Sequence, residues 1–331
     1  PNYLIDTPYD ELTPDVILDA IDRIGFETDG VLHALNSYEN RVYQVGLNSA
    51  EPLIAKFYRP ERWTNAAILE EHDFTIELTR HEIPCVAPIV KHGTSLFTDS
   101  VHGYRFALFP RRAGHPPNVE DEQVLSIMGR TMGRLHAIGS AQTFEHRRTL
   151  TAEIFGWESR SFLLESNLLP ESVNAAYETT SQHLLERIDE ILASTNTEHI
   201  RIHGDCHLGN LLWRYDLPNC VDFDDTVMGP AIQDLWMLLS GSREEQEIQL
   251  TTLAKAYEMF RRFPEWETKL IEPLRSLRMI HHAAWIGRRW SDPAFPLAFP
   301  WFKTEKYWSD HILSLREQLA LLDEPPMFIS Y

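Results

Sequence analysis

The chain has 331 residues, 43% hydrophobic and 24% charged, enough to bury a substantial core in one large domain or two lobes. Its formal net charge of −19 argues against a nucleic-acid binder, because affinity for a phosphate backbone comes from clustered Lys and Arg. Three widely spaced cysteines, Cys85, Cys206 and Cys220, fit neither a disulfide framework nor a zinc pattern, and no apolar run reaches the ~18 residues of a membrane span.

Thr13-Pro14 reads as an N-cap followed by a proline at the first helical position. Ile17, Ala20, Ile21 and Ile24 then form an apolar stripe that Gly25 ends. The period next changes to two: residues 31–35, 41–47 and 52–57 are expected as short strands. Residues 64–81 read as a helix with Ala67, Glu71, Phe74 and Leu78 on one face, broken by Pro84. Two more strands are expected near 87–91 and 104–109. This order suits the small lobe of a kinase, although periodicity alone would support other α+β domains.

Residues 110–118, rich in Pro, Gly and Arg, read as a linker. Beyond it, helices are expected over about 120–139, 175–193, 232–239, 244–260, 269–290 and 306–322. A strand-and-loop patch at 200–225 lies among them. The aromatic cluster of Trp285, Trp290, Phe295, Phe299, Trp301 and Phe302 reads as core or a packed C-terminal flap.

That patch carries the chemistry: His203-Gly204-Asp205-Cys206-His207-Leu208-Gly209-Asn210, then Val221-Asp222-Phe223-Asp224-Asp225. Phosphoryl transfer needs a carboxylate to orient or deprotonate the acceptor hydroxyl, oxygen ligands for magnesium, and a cation on the nucleotide. Asp205 and Asn210 stand five apart, the spacing of a catalytic Asp and a metal-binding Asn, and Asp222 follows twelve residues later behind an apolar strand. Carboxylate and amide oxygens suit hard Mg²⁺. Taken singly, each piece is an ordinary turn or a solvated acidic loop; the ordered combination points to a site. His203 and His207 read as packed or satisfied histidines, and Gly204 and Gly209 make a helical zinc pair unsuitable. Asp234 reads as a structural residue at a helix start, with catalytic-loop backbone as a further partner.

Lys56 ends an apolar strand, where a lysine either snorkels to solvent or holds the α- and β-phosphates. Glu70 or Glu71 of the next helix should pair with it, and Glu71, nearer the centre of the apolar face, is preferred. No Gly-x-Gly-x-x-Gly is present at the first hairpin. Asn36-Ser37-Tyr38-Glu39-Asn40 occupies that turn, as either a polar turn or a phosphate cradle using backbone amides and the Ser37 hydroxyl.

The motif pair resembles the choline kinase and aminoglycoside phosphotransferase superfamily. The runs 35–44, 56–63, 229–239 and 289–296 resemble more specifically the bacterial stress response kinase A group of Ser/Thr protein kinases. This resemblance implies an α+β, bilobal protein-kinase-like fold. A mainly antiparallel-sheet N-lobe would span 1–110 and a larger, mostly helical C-lobe 111–331. It implies catalytic Asp205 and Asp222, with Asn210 and Asp222 binding Mg²⁺. Ser37 and Lys56 would lie at ATP, with Glu71 beside Lys56, and residues 107–110, Phe109 among them, would form the hinge facing adenine.

The implied activity is ATP-dependent phosphorylation of protein Ser and Thr, with autophosphorylation, in a bacterial stress response. A cytoplasmic monomer is expected, with no nucleic-acid or membrane partner. The N-terminus lacks a signal-sequence pattern, and an initiator Met or a few residues are expected to precede Pro1. The chain departs from ordinary protein kinases in lacking the glycine-rich loop and in having Gly204 for Arg and Asp224 for Gly. Two rivals stand beside this expectation: a kinase of an amino-alcohol or aminoglycoside, and an ATP-binding pseudokinase.

Overall fold

The computed structural model describes residues 7–331. Helix α1 (Pro14–Arg23) is capped by the Thr13 hydroxyl, which accepts from the Val16 amide, and buries Ile17, Ala20 and Ile21. Gly25 follows at φ 92°, a left-handed turn that costs a glycine little. Strands β1 (Thr28–Leu35), β2 (Arg41–Leu47), β3 (Leu53–Phe57), β4 (Phe97–Thr98) and β5 (Arg105–Pro110) form one antiparallel sheet in the order β1-β2-β3-β5-β4. Helix α2 (Asn65–Arg80) joins β3 to β4 and starts on a Thr64 cap.

One expected strand is displaced. Residues 87–91 give the sheet a single backbone bond, from the Ile89 amide to the Leu108 carbonyl at 2.7 Å. Pro88 has no N–H to offer a ladder. Lys91 and Thr94 then close a turn through His92 and Gly93, both at positive φ, so pairing is delayed until Phe97.

The rest of the chain is mostly helical: α3 (Glu122–Gly139), α4 (Glu158–Glu165), α5 (Glu171–Ala193), then the short strands β6 (Ile200–Ile202), β7 (Leu211–Arg214), β8 (Leu217–Cys220) and β9 (Val227–Gly229). Helices α6 (Ile232–Trp236), α7 (Arg243–Tyr257), α8 (Ile271–Arg288), α9 (Ala294–Ala298) and α10 (Glu305–Leu321) complete it. The helical stretch through α4, entered by a wide turn at Glu153–Trp157, was not expected. Helix α4 buries only Ser159 and Leu163, too few apolar contacts to leave a periodic stripe.

Two main cores result. Ile17, Ile21, Val45, Ala55, Phe57, Phe106 and Leu108 fill the space between α1 and the sheet. The larger core gathers α3, α5, α7, α8 and α10, and takes in Phe74 and Leu78 of α2. Reciprocal backbone bonds join the segment after α2 to β8, Val86 to the Cys220 carbonyl and Cys220 to the Pro84 carbonyl, both at 3.0 Å. The sheet-and-α2 portion is thereby fixed to the strands that carry the motifs. All three cysteines are buried and free.

Candidate active site

Strand β6 pairs with β9 and β7 with β8; the two hairpin-like pairs present the motif loops side by side. His203 is fully buried, its Nε2 2.8 Å from the Val221 carbonyl, so it braces one loop against the other as expected. Gly204 adopts φ 90°, and a Cβ there would collide with the Asp225 carbonyl. Asp234, at the start of α6 and fully buried, accepts from the amides of His203 and Gly204 and from His136 Nε2, each at 2.9 Å. Burial would raise its carboxyl; His136, His203 and the Gly204 amide more than offset that and hold it below the usual range. The helix start is thus also the anchor of the loop.

Asn210 Nδ2 donates to the Asp205 carbonyl at 2.9 Å, and the Asn210 carbonyl accepts from Val221. Asp222 sits at φ 56° with a half-exposed carboxylate, and its Oδ1 accepts from Lys56 Nζ at 2.9 Å. Lys56 is itself buried. Burial alone would lower its pKa, but Asp222, Glu71 and Asp224 raise it above its ordinary value, so the ammonium stays charged. Lys56 is thus joined to Asp222, and Asn210, whose carbonyl holds the Val221 amide beside Asp222, is joined to Asp205. Among the described residues no group of three His, Cys, Asp or Glu could hold a metal unaided. The set instead offers the few oxygens, on Asn210 and Asp222, with which Mg²⁺ is content when phosphates and water complete its shell.

Asp205 has a partner that sequence reading missed. Arg278 of α8 donates to Asp205 Oδ1 at 2.8 Å, while His207 Nε2 lies 3.5 Å from Oδ2. Burial pushes the Asp205 carboxyl up, but Arg278, aided by His207 and His203, holds it below its ordinary value.

Glu71 does not pair with Lys56. Its Oε2 meets Arg147 Nη2 at 3.1 Å in a fully enclosed ion pair, and burial pushes the Glu71 carboxyl up to about 7 against the pull of Lys56 and Arg147. Arg147 comes from the loop after α3 and lies over the Trp63 ring at 4.2 Å, a competitor that the sequence of α2 does not reveal. Glu70 is no alternative, since its carboxylate accepts from the amides of Glu145, His146 and Arg147.

Ser37 is half-buried in the β1–β2 turn, at the end of the sheet where Val42 lies opposite Lys56. The turn is pinned from outside. Glu39 meets Arg289 Nε at 2.6 Å and accepts from the Trp285 indole, and Tyr38 packs edge-on to Phe295 and Phe299. Asp292 completes the tie by pairing with Arg59 at 2.7 Å and Arg41 at 3.2 Å. The aromatic cluster therefore covers the hairpin as well as filling core. Arg62 pairs with Glu39, Asp224 and Asp225, and with Arg147 it holds the buried Asp224 carboxyl down at about 2 against the effect of burial. Runs 35–44, 56–63 and 289–296, which share no role in the sequence, thus meet as one ionic strap. Phe109 on β5 lies opposite Ile54, its ring 5.6 Å from Lys56 Nζ and edge-on to His72.

The model of the phosphotransferase enzyme family matches residues 31–268. The chain is 43% identical to stress response kinase A of Escherichia coli O157:H7, over 96% of either chain. It is 41% identical to serine/threonine protein kinase RdoA of Salmonella typhimurium (strain LT2), again over 96% of each. Among solved structures it resembles the amicoumacin kinase hAmiN in complex with AMP-PNP, Ca²⁺ and Ami, with TM-score 0.72, 18% identity and 97% and 95% of the two chains covered. A microcompartment-associated aminopropanol kinase follows at TM-score 0.66, 19% identity and 93% and 97% coverage. The fold is the α+β, protein-kinase-like one expected from the sequence.

Proposed function

We infer the activity from one premise: the chain belongs to the phosphotransferase enzyme family and, within it, to the stress response kinase A group. It is a kinase that takes its phosphoryl group from ATP with Mg²⁺ and gives it to Ser and Thr hydroxyls of proteins, itself included, in a cytoplasmic stress response. The observation that supports this reading is a linked set of side chains: Lys56 donates to Asp222, Asn210 donates to the Asp205 carbonyl, and the two amides preceding Asp205 are held by the buried Asp234.

Of the described residues, 7–110 form the nucleotide lobe and 111–331 the acceptor lobe. Lys56 binds the α- and β-phosphates, and the Ser37 hydroxyl with the amides of its turn covers them. Phe109 and its neighbours face adenine. Asn210 and Asp222 supply the protein oxygens for Mg²⁺, which when bound neutralises the phosphate oxygens. Asp205 then orients the acceptor hydroxyl and takes its proton as the oxygen closes on the γ-phosphorus, while the bond from that phosphorus to the β–γ bridging oxygen breaks and ADP leaves. Arg278 holds Oδ1, and Oδ2, which His207 Nε2 approaches to 3.5 Å, is the oxygen turned to the hydroxyl in this reading.

The protein acceptor is supported by the names of the relatives at 41–43% identity. A small-molecule acceptor is the second reading, supported by the amicoumacin and aminopropanol kinases of like fold. Radiolabelled ATP with wild type and Asp205→Asn, offered protein and metabolite panels, decides between them. Label should enter proteins and fall about 10²–10⁴-fold in the variant. Unchanged turnover would refute Asp205 as the base. Rapid metabolite labelling without protein labelling favours the second reading, and Mg-ATP binding without any transfer would indicate a pseudokinase.

A further inference from the structure

The β1–β2 turn, residues 36–40, contains no glycine, and side chains of the acceptor lobe fix its backbone instead. The Tyr38 carbonyl accepts from Arg41 Nη1 at 3.0 Å and from Arg59 Nη2 at 3.1 Å, and the Glu39 carbonyl accepts from Arg59 Nε at 3.0 Å. Both arginines are held by the buried carboxylate of Asp292, at 3.2 and 2.7 Å. Asp292 lies just before α9 and also accepts from the Ala294 amide at 3.0 Å, so its carboxylate is anchored to the acceptor lobe.

In a trans peptide the carbonyl and the following N–H point in opposite directions. Holding the Tyr38 and Glu39 carbonyls on the arginines therefore turns the amides of Glu39 and Asn40 away from them. Neither amide has a hydrogen-bond partner among the described residues. The arginines sit over the Tyr9 ring, Arg41 at 4.3 Å and Arg59 at 5.6 Å. Arg41 precedes Val42, the residue opposite Lys56, and successive strand side chains face opposite ways. Arg41 thus lies on the face of the sheet away from Lys56.

The Glu39 side chain ties the turn at a second point. It accepts from Arg289 Nη2 at 3.0 Å and from the Trp285 indole, and lies 3.4 Å from Arg62 Nε. Arg62 also pairs with Asp224 and, at 2.6 Å, with Asp225, so one guanidinium bridges the turn and the loop that follows Asp222. We propose that Asp292 and Glu39 are positioning residues for ATP: through Arg41, Arg59 and Arg62 they hold the β1–β2 turn closed before the nucleotide arrives, with the Glu39 and Asn40 amides presented to the phosphates beside Lys56. The proposal rests on the ATP-dependent reading, and it assigns the preorganisation of the phosphate lid to the acceptor lobe.

Binding separates this role from general support of the fold. Calorimetric titration of the full chain gives Kd for Mg-ATP and for adenosine, which lacks the phosphates, at a temperature where circular dichroism shows every variant folded. Asp292→Asn releases the two arginines from the acceptor lobe. If the closed turn falls to about one state in ten, the apparent affinity for Mg-ATP falls about tenfold, while that for adenosine stays unchanged. Asp292→Glu, which keeps a carboxylate, should recover most of the loss. Glu39→Gln keeps an acceptor for the Trp285 indole but removes the charge, and should show the same phosphate-selective loss from the other anchor. Wild-type affinity for Mg-ATP in both Asp292→Asn and Glu39→Gln, or equal losses for ATP and adenosine, overturns the proposal and leaves the kinase reading standing. The expected losses, in a protein that transfers phosphate to no protein, keep the proposal and remove the protein acceptor. A wild type that binds Mg-ATP no better than adenosine removes both.

Discussion

Replacing Asp234 with Ala should disable both the stability and the turnover of this enzyme, although Asp234 need touch neither substrate. The carboxylate accepts three hydrogen bonds, from the His203 and Gly204 amides and from His136, and is completely enclosed. Truncation leaves three buried donors unmet at about 1–3 kcal/mol each, and partial access of water brings the sum to about 3–6 kcal/mol. Unfolding entropy of about 2.1 cal/mol/K per residue over 331 residues gives about 0.7 kcal/mol/K. The expected fall in Tm is then about 4–9 °C by calorimetry. Because the pKa of Asp234 is lowered in the folded state, its contribution is complete above the unfolded carboxyl range and is lost as pH falls through the folded value. The Ala variant should therefore lose less stability than wild type on acidification. Below the melt, the loosened loop should misplace Asp205 and lower kcat about 100-fold. A Tm within about 1 °C of wild type together with unchanged kcat would refute Asp234 as the anchor of the loop.

Three other variants probe separate parts of the argument. Lys56→Met keeps the packing but removes the cation, and should raise KM for ATP about 10–100-fold in steady-state kinetics, the worth of charge-assisted bonds. Gly204→Ala should cost about 1–3 kcal/mol for its positive φ alone; with the added collision against the Asp225 carbonyl, denaturant melts should show at least that loss, together with reduced kcat. Glu267, buried and accepting from the Ile232 amide, has its carboxyl pushed up to about 7, chiefly by burial. Since the folded value exceeds the unfolded one, its stabilisation is complete at low pH and fades as pH rises from about 4.5 to 7, by on the order of 2–3 kcal/mol. Thermal melts of Glu267→Gln at pH 5 and pH 8 should show a smaller loss than wild type across that interval.

Most secondary structure was readable because its signals are local. Thr13-Pro14, Thr64 and the period-two runs of β1 to β3 act within a few residues, and the structure places them as read. Strand 87–91 failed because a single proline and a two-residue left-handed turn outweighed its apolar character. Helix α4 escaped notice because its burial is slight.

The sequence by itself determined the chemistry on offer: the Asp205–Asn210 spacing, Asp222 behind its strand, and a lysine at a strand end. It also marked the runs that now form the ionic strap over the β1–β2 turn. Only the tertiary structure decided the partners. Arg278 reaches Asp205 across 73 positions, Lys56 reaches Asp222 across 166, and Arg147 takes Glu71 across 76. The physical reason lies in competition. A buried charge goes to whichever opposite charge packing brings within reach, and helix periodicity says which face Glu71 occupies but not which guanidinium meets it there.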